Sequence, residues 1–203
     1  RRFNDHIHVD IFGPLRNSST CKFILTVTDA FTRWVEIIPC RTKTAEEISE
    51  KLYQVWICRH SCPIMITSDC GGEFKNKILQ NLEERLGIEG KFTSGWNPKA
   101  NGVAEAVNKS ITRYLKSLVD MNVDEVEDWL PSLQLSYNSS IHRSHRFSPY
   151  EILYSQKPRW PWFDPHDREE MFYGEMTTDE LLRRTAVTRQ CALKNSMDFK
   201  EAY

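Results

Sequence analysis

The segment that decides the fold class is Pro63-Ile64-Met65-Ile66-Thr67-Ser68-Asp69, a short apolar run that ends in an acid. Such nearly continuous apolar runs are typical of strands covered by helices on both faces. A helical stripe precedes it, behind the capping-box pair Thr44 and Glu47. A second stripe follows and ends at Gly87, which can take the left-handed conformation. A strand between two helices predicts parallel βα units, with chemistry at the carboxyl ends of the strands.

The residues before the first helix indicate an antiparallel meander. Residues 7–12 alternate in polarity, the period of a strand, and Asp10 lies on the polar face. The predicted strands cover residues 7–12, 21–29, 34–39, 63–67 and 88–92. Because the first three are joined by short connections, we expect them to pair antiparallel. The fold class is α/β, with a mixed five-stranded sheet of three antiparallel strands followed by parallel βα units, flanked by helices.

The rest of the chain is predicted to be mainly helical. A loop rich in Gly and Pro at residues 93–102 leads into a helix that carries Glu105 near its start. Three prolines after residue 157 indicate a stiff linker, and residues 178–202 have the pattern of a charged, amphipathic tail helix. We therefore expect a core at 1–160 and a proline-rich linker with a C-terminal helical extension at 161–203.

Composition excludes some classes and leaves others open. Lys and Arg number 27 against 28 Asp and Glu, so the net charge of -1 neither predicts nor excludes nucleic acid. No apolar run approaches the roughly 20 residues of a membrane span. The chain lacks an initiator Met, which predicts a piece of a larger protein. Cys58, His60 and Cys62 invite a zinc interpretation, but without a second ligand pair we favour ordinary cysteines.

Three acids are candidates for chemistry: Asp10, Asp69 and Glu105. Converging carboxylates suit a hard cation such as Mg²⁺, and a pair of ions about 3.5–4 Å apart can activate a nucleophile and stabilise a leaving oxygen. Taken singly, each acid has an ordinary alternative. An Asp after a strand often forms a turn, and a Glu in a first helical turn complements the helix dipole.

The order and spacing of the acids resemble a known pattern. Asp10 and Asp69 are separated by 58 residues, and Asp69 and Glu105 by 35. This resembles the D,D-35-E signature of retroviral and retrotransposon integrases, and the surrounding motifs resemble the gypsy-type LTR-retrotransposon branch. The motifs that carry the resemblance are His8–Leu15, Val27–Trp34, Thr67–Phe74, Trp96–Glu105, Tyr137–Ser140 and Phe147–Tyr154.

The resemblance implies a ribonuclease H-like catalytic core and a metal-dependent polynucleotidyl transferase. Such an enzyme trims the 3′ ends of element DNA and joins them to target DNA, using two Mg²⁺ or Mn²⁺ ions held by Asp10, Asp69 and Glu105. The implied partners are element and target DNA, a homodimer or higher homo-oligomer, and a chromatin-tethering factor, in the nucleus. Two alternatives stay open: a nuclease of the same fold, and a domesticated core that binds DNA, chromatin or a partner without catalysis.

Polar residues on the Glu105 helix are candidate DNA contacts. Lys109, Thr112 and Lys116 fall on the Glu105 side of the helix, and Arg113 lies beside them. Phosphate contacts of this kind position a substrate, although a lysine stripe is more often a solvated face. Asn108 is a polar residue at a position that is often polar in the family that the motifs resemble. Trp96 could stack on a base or anchor its loop. On the first strand, His6 and His8 share the Asp10 face, where we favour packing or support over metal ligation.

Overall fold

The computed structural model describes residues 2–15, 18, 20–68, 77–92, 107, 109–114, 117, 126–160 and 178–201. The chain forms two compact units, Arg1–Tyr137 and Asn138–Tyr203. The expected division at residue 160 stays a prediction, because residues 161–177 of the linker lie outside the described ranges.

The first unit contains the predicted five-stranded sheet. Its strands are β1 (His6–Phe12), β2 (Phe23–Asp29), β3 (Val35–Cys40), β4 (Met65–Ser68) and β5 (Glu89–Phe92). The strand order is β3-β2-β1-β4-β5; β1–β2 and β2–β3 pair antiparallel, whereas β1–β4 and β4–β5 pair parallel. The mixed sheet predicted from the sequence is confirmed.

A continuous helical run, α1, follows β3. It comprises Ala45–Lys51, a π-helical segment Leu52–Ile57 and a last turn Cys58–His60. Thr44 caps its start by accepting a hydrogen bond from the Glu47 backbone N–H. The π segment was not predicted, because apolar spacing does not distinguish α from π winding over six residues. Helix α2 (Lys77–Leu86) ends at Gly87, whose φ of 66° is the left-handed value expected.

The face of the sheet that carries Asp10 is covered by two helical segments. Alternation along β1 and the strand registers place Phe12 on this face with Ile24 of β2 and Ile37 of β3. These side chains pack with helix α3, described at 107, 109–114 and 117, and with α4, a 3₁₀ turn Val126–Trp129 continued by Leu130–Ser139. The buried members of the cluster are Ile24, Val35, Ile37, Val107, Ile111, Val126, Leu130 and Leu133.

In the sequence, apolar residues at helical spacing predict a buried stripe along α4, and one of them points the other way; the stripe comprises Val126, Trp129, Leu130, Leu133 and Tyr137. Trp129, for which core burial was the default expectation, is 45% exposed. Leu130, the next residue, takes the inward direction, and consecutive side chains on a helix point about 100° apart.

In the described part of the second unit the chain forms helices α5 (Pro149–Tyr154) and α6 (Thr178–Glu201). In the sequence, Ser148 followed by Pro149 and by Glu151 predicts a capping box, and the structure contains it. The Ser148 hydroxyl accepts from the Glu151 N–H, and the Glu151 carboxylate accepts from the Ser148 N–H. Helix α6 packs on α5, where Arg189 donates to the carbonyl oxygens of Ile152 and Leu153 at the end of α5.

Among the helices in the described ranges, none combines the length and the apolar character needed to cross a membrane.

Candidate active site at the carboxyl end of β1

Asp10 lies near the carboxyl end of β1, half-buried on the sheet face covered by α3 and α4. Its Oδ1 accepts a hydrogen bond from the Ile11 N–H at 2.7 Å, and its carbonyl oxygen accepts from the Thr26 hydroxyl at 3.3 Å. The first contact fixes the carboxylate at the strand end, and the second ties the backbone of Asp10 to β2.

The pairing of β1 with β4 leads toward the second acid, Asp69, in the sequence. The paired residues run from His6 with Met65 to Val9 with Ser68. In the sequence, Asp10 follows Val9 and Asp69 follows Ser68, so the last described pair stops one position short of both acids. Asp69 itself lies outside the described residues.

The third acid belongs to the sequence that leads into α3. Val107, two positions after Glu105, is 1% exposed and packs in the same cluster as Phe12, two positions after Asp10. Helix α3 therefore lies against the Asp10 face. Glu105 lies outside the described residues, and within the described part of the chain no three His, Cys, Asp or Glu side chains come together as metal ligands would.

Of the six candidate DNA contacts, three are among the described residues and three are not. Lys109 and Arg113 are exposed on α3, and Thr112 is half-buried. The inward side of the same helix is formed by Val107 and Ile111, which are four residues apart in the sequence and therefore share one helix face. The other three candidates, Trp96, Asn108 and Lys116, lie outside the described residues.

A polar layer lies beneath Asp10 on the same face of the sheet. His6 Nε2 lies 2.7 Å from the Thr67 hydroxyl, which joins β1 to β4. The rings of His6 and His8 are 4.5 Å apart, and His8 is buried. In the register, His8 pairs with Thr67 on one side and with Thr28 on the other. Alternation along β1 placed both histidines on this face, but only the fold shows that His6 reaches Thr67.

Two buried carboxylates were not singled out from the sequence. Asp29, at the end of β2, accepts from the backbone N–H groups of Asn4, Phe31 and Thr32 and from the Thr32 hydroxyl. Burial raises the pKa of Asp29, and these hydrogen bonds oppose part of that effect. An Asp three residues before a Thr is a signal for a side-chain-capped turn, which fits this structural role.

Glu36 on β3 is the second buried carboxylate. It accepts from the Trp34 indole at 3.0 Å and from the Gln134 amide at 2.7 Å, and His60 Nε2 lies 3.3 Å away. Burial alone would raise its pKa, but the hydrogen bonds outweigh burial and the pKa of Glu36 lies below its ordinary value. His60 is thus engaged with Glu36, whereas the neighbouring Cys58 and Cys62 are exposed thiols. This pattern supports ordinary cysteines at a helix end.

Comparison with known proteins adds to this geometry. Residues 1–98 match the family described as Integrase core domain. The chain is 32% identical to the Pol polyprotein of feline endogenous virus ECE1 over 139 residues, which are 68% of this chain and 13% of that polyprotein. The chain thus spans only a small part of this relative.

Solved structures show the same fold. A chain of the simian T-cell lymphotropic virus intasome, solved in complex with PP2A regulatory subunit B56 gamma, matches with a TM-score of 0.65 and 19% identity over 80% of this chain and 59% of that chain. The HTLV-2 integrase catalytic core domain, solved in complex with magnesium in a trimeric form, matches with a TM-score of 0.57 and 18% identity over 73% and 95% of the two chains.

The mixed sheet flanked by helices is the ribonuclease H-like fold of integrase catalytic cores. The chain belongs to the retroviral and LTR-retrotransposon integrase family. Its place in the gypsy-type branch stays a prediction.

Proposed function

We propose that this chain is the catalytic core of a metal-dependent polynucleotidyl transferase that processes the 3′ ends of element DNA and joins them to target DNA. The observation that carries the proposal is the setting of Asp10. The parallel β1–β4 register leads to Asp69 in the sequence, and α3, which follows Glu105, packs on the face that Asp10 occupies. These arrangements support a site in which the three carboxylates converge.

The donor set fits the proposed metal ions. Three carboxylates provide the oxygen ligands that Mg²⁺ and Mn²⁺ favour, and the described ligand, Asp10, lies at a half-buried strand end. The related HTLV-2 core was solved in complex with magnesium. Asp10 would contact both ions, and Asp69 and Glu105 would each hold one. When bound, such ions activate an attacking oxygen and stabilise a leaving oxygen.

In the proposed reaction, the chain holds and orients DNA and supplies no covalent nucleophile. In trimming, the oxygen of water bonds to the phosphorus of the scissile phosphodiester, and the element's 3′ oxygen leaves and takes up a proton. In joining, that 3′-hydroxyl attacks a target phosphodiester, loses its proton and displaces a target 3′ oxygen. The carboxylates would act by placing positive charge where negative charge develops.

Lys109 and Arg113 support a DNA-binding role for α3. Both are exposed on the helix whose opposite side is buried against the Asp10 face of the sheet. Cations in this position could contact phosphates that flank the scissile bond. Thr112 would add a hydroxyl donor, and Trp96, Asn108 and Lys116 complete the proposed contact set.

The proposed assembly follows from the same function. Concerted joining of two element ends requires at least two cores, so we expect a homodimer or a higher homo-oligomer. Exposed Trp129 is a candidate for that interface. Action on chromosomal DNA would place the protein in the nucleus, with a chromatin-tethering factor as a further partner.

The test is Asp10→Asn in a strand-transfer assay with a labelled 3′ end, Mg²⁺ or Mn²⁺, and a disintegration substrate that runs the joining step in reverse. Loss of a metal-binding carboxylate should lower the rate by about 10²–10³-fold, as removal of a central electrostatic group does. Asp128→Asn, an exposed acid on the 3₁₀ turn, is the matched control and should retain wild-type rates.

Other outcomes would identify the alternatives. Cleavage without joining or disintegration by the wild type would indicate a nuclease of the same fold. DNA binding with no metal-dependent chemistry in either assay would indicate a binding module. Wild-type rates in Asp10→Asn would show that the carboxylate site is not the catalytic site.

A further inference from the structure

The hydrogen bond between His6 and Thr67 links strands β1 and β4 close to the candidate active site. It crosses from β1 to β4 on the Asp10 face, with His6 Nε2 and Thr67 Oγ1 2.7 Å apart. Asp10 lies four positions after His6 on the same strand face, and Asp69 lies two positions after Thr67 in the sequence. The bond therefore joins the two strands that lead to two of the proposed metal ligands.

The side chains around this bond are buried, so polar groups here are less favourable than apolar side chains that would only fill the space. Thr67 is 6% exposed and His8, which lies against the His6 ring, is 3% exposed. The opposite face of the same strands is packed with apolar side chains, including Ile7, Val9 and Ile66, all nearly fully buried. Apolar side chains can therefore pack along these strands. Buried polar side chains, by contrast, need hydrogen-bond partners. Polar residues retained in a core where apolar ones would pack commonly mark function.

We propose that His6 is a positioning residue: through its hydrogen bond to Thr67 it sets the spacing between the ends of β1 and β4, and hence the spacing of the carboxylates at positions 10 and 69. This inference rests on the proposed function. On the other flank, the Thr26 hydroxyl binds the Asp10 carbonyl, so β1 is tied by side chains to both of its neighbours. Groups that hold metal ligands in place change metal affinity without touching the ion.

The experiment measures Mn²⁺ affinity by calorimetry on the full chain, together with the Mg²⁺ dependence of disintegration. His6→Leu and Thr67→Val each remove the bond and should weaken Mn²⁺ binding about tenfold, within the range for residues that support metal ligands. His6→Gln and Thr67→Ser keep groups that can donate and accept, so each should restore binding. The double variant His6→Leu/Thr67→Val should be no weaker than either single variant, because both remove one interaction.

Thr28→Val is the matched control. It makes the same change in the same layer, at a residue that is 2% exposed but lies on β2, away from the β1–β4 seam. Its Mn²⁺ affinity should equal that of the wild type. Melting temperatures of all variants separate lost stability from lost positioning.

The outcomes distinguish this inference from the function on which it rests. If Asp10→Asn binds Mn²⁺ as tightly as the wild type, the proposed metal site is wrong and the positioning role falls with it. If Asp10→Asn loses binding while His6→Leu keeps it, the function stands and the positioning role is refuted. A lower melting temperature for His6→Leu with unchanged Mn²⁺ affinity, or failure of His6→Gln to restore binding, also refutes it.

Discussion

At the scale of single residues, Asn4 joins several parts of the fold. Its side-chain amide donates to the carbonyl oxygens of His60 and Ser61 at the end of α1, and its Oδ1 accepts from the Trp56 indole at 2.8 Å. Its backbone N–H donates to Asp29 at 2.9 Å. With φ at 67°, Asn4 takes a left-handed conformation that Asn tolerates better than most residues. One buried side chain thus ties the N-terminal segment to α1.

Replacement of Asn4 should be strongly destabilising. Asn4→Ala removes four side-chain hydrogen bonds, including one to the Ser61 hydroxyl, and leaves the buried Trp56 indole N–H without its partner, so we expect a loss of about 2–4 kcal/mol in the free energy of unfolding. Urea denaturation would measure it. Asn81→Ala, at an exposed position of α2, is the control and should change stability by less than about 0.5 kcal/mol. Equal effects of the two changes would contradict the role of Asn4.

Glu127 predicts a dependence of stability on pH. Burial opposes its ionisation, but hydrogen bonds from Ser18 and Thr20 outweigh burial and lower the pKa of Glu127 to about 2. Because the folded-state pKa lies below the unfolded-state value, the stabilisation is present above the ordinary carboxyl pKa of about 4.3 and is lost as the pH falls toward 2.

We therefore expect Glu127→Gln to be less stable than the wild type at pH 6, with a gap that narrows between pH 5 and the folded-state pKa of about 2. Chemical denaturation across this range measures the gap. Thr20→Val removes one donor to Glu127. In a Thr20→Val background, the loss of stability caused by Glu127→Gln should therefore be smaller at pH 6. A gap that stays constant with pH would show that the carboxylate charge is not responsible.

At the scale of elements, strand β3 lies at one edge of the sheet, where backbone groups lack a neighbouring strand. Gln134 of α4 takes that place: its Oε1 accepts from the Ile37 N–H at 2.7 Å while its Nε2 donates to Glu36. Two positions after Ile37, Pro39 has no N–H to expose. These features cover an edge that could otherwise pair with another chain.

Removal of that cover should affect both stability and self-association. Gln134→Leu leaves the Ile37 N–H without its partner and removes one hydrogen bond from the buried Glu36 carboxylate, so we expect a loss of about 1–3 kcal/mol and faster aggregation on mild heating. Denaturation and light scattering would measure the two effects. Ser132→Leu adds the same side chain at an exposed position of α4 and is the control. Aggregation of both variants at one rate would assign the effect to the added leucine.

At the scale of the whole molecule, charge gives no general attraction to DNA. The net charge is -1, so the long-range field does not favour a polyanion. Binding must depend on local cations, and Lys109 and Arg113 are exposed on the helix that covers the Asp10 face. Local phosphate contacts have a recognisable signature, because each one adds to the dependence of affinity on salt.

Lys109→Glu should weaken DNA binding across all sequences and reduce the slope of log affinity against log salt by about 1. Fluorescence anisotropy over a salt series measures both. Arg85→Glu makes the same change in net charge on α2, near the amino end of β5, and is the control. If both variants have the same slope, the effect comes from net charge and the α3 surface is a solvated face.

Local patterns predicted the elements well because they act over short distances. The Ser148–Glu151 capping box and the left-handed Gly87 involve residues within one turn of each other, so the sequence displays them directly. The partners of the Asn4 and Gln134 side chains lie 52 to 98 residues away, and no local pattern specifies them. The exposure of Trp129 was missed for a related reason, since an apolar stripe does not say which of two adjacent large residues turns inward.

The sequence by itself determined the α/β class, the order of the strands and helices, and the acids with their motif spacing, because hydrophobic period and turn chemistry are local properties. Only the tertiary structure decided the β1–β4 register, the packing of α3 on the Asp10 face, and the contact of His6 with Thr67. Those features depend on pairing between segments up to 100 residues apart, in which the free energy of burial selects one arrangement among many that local preferences allow.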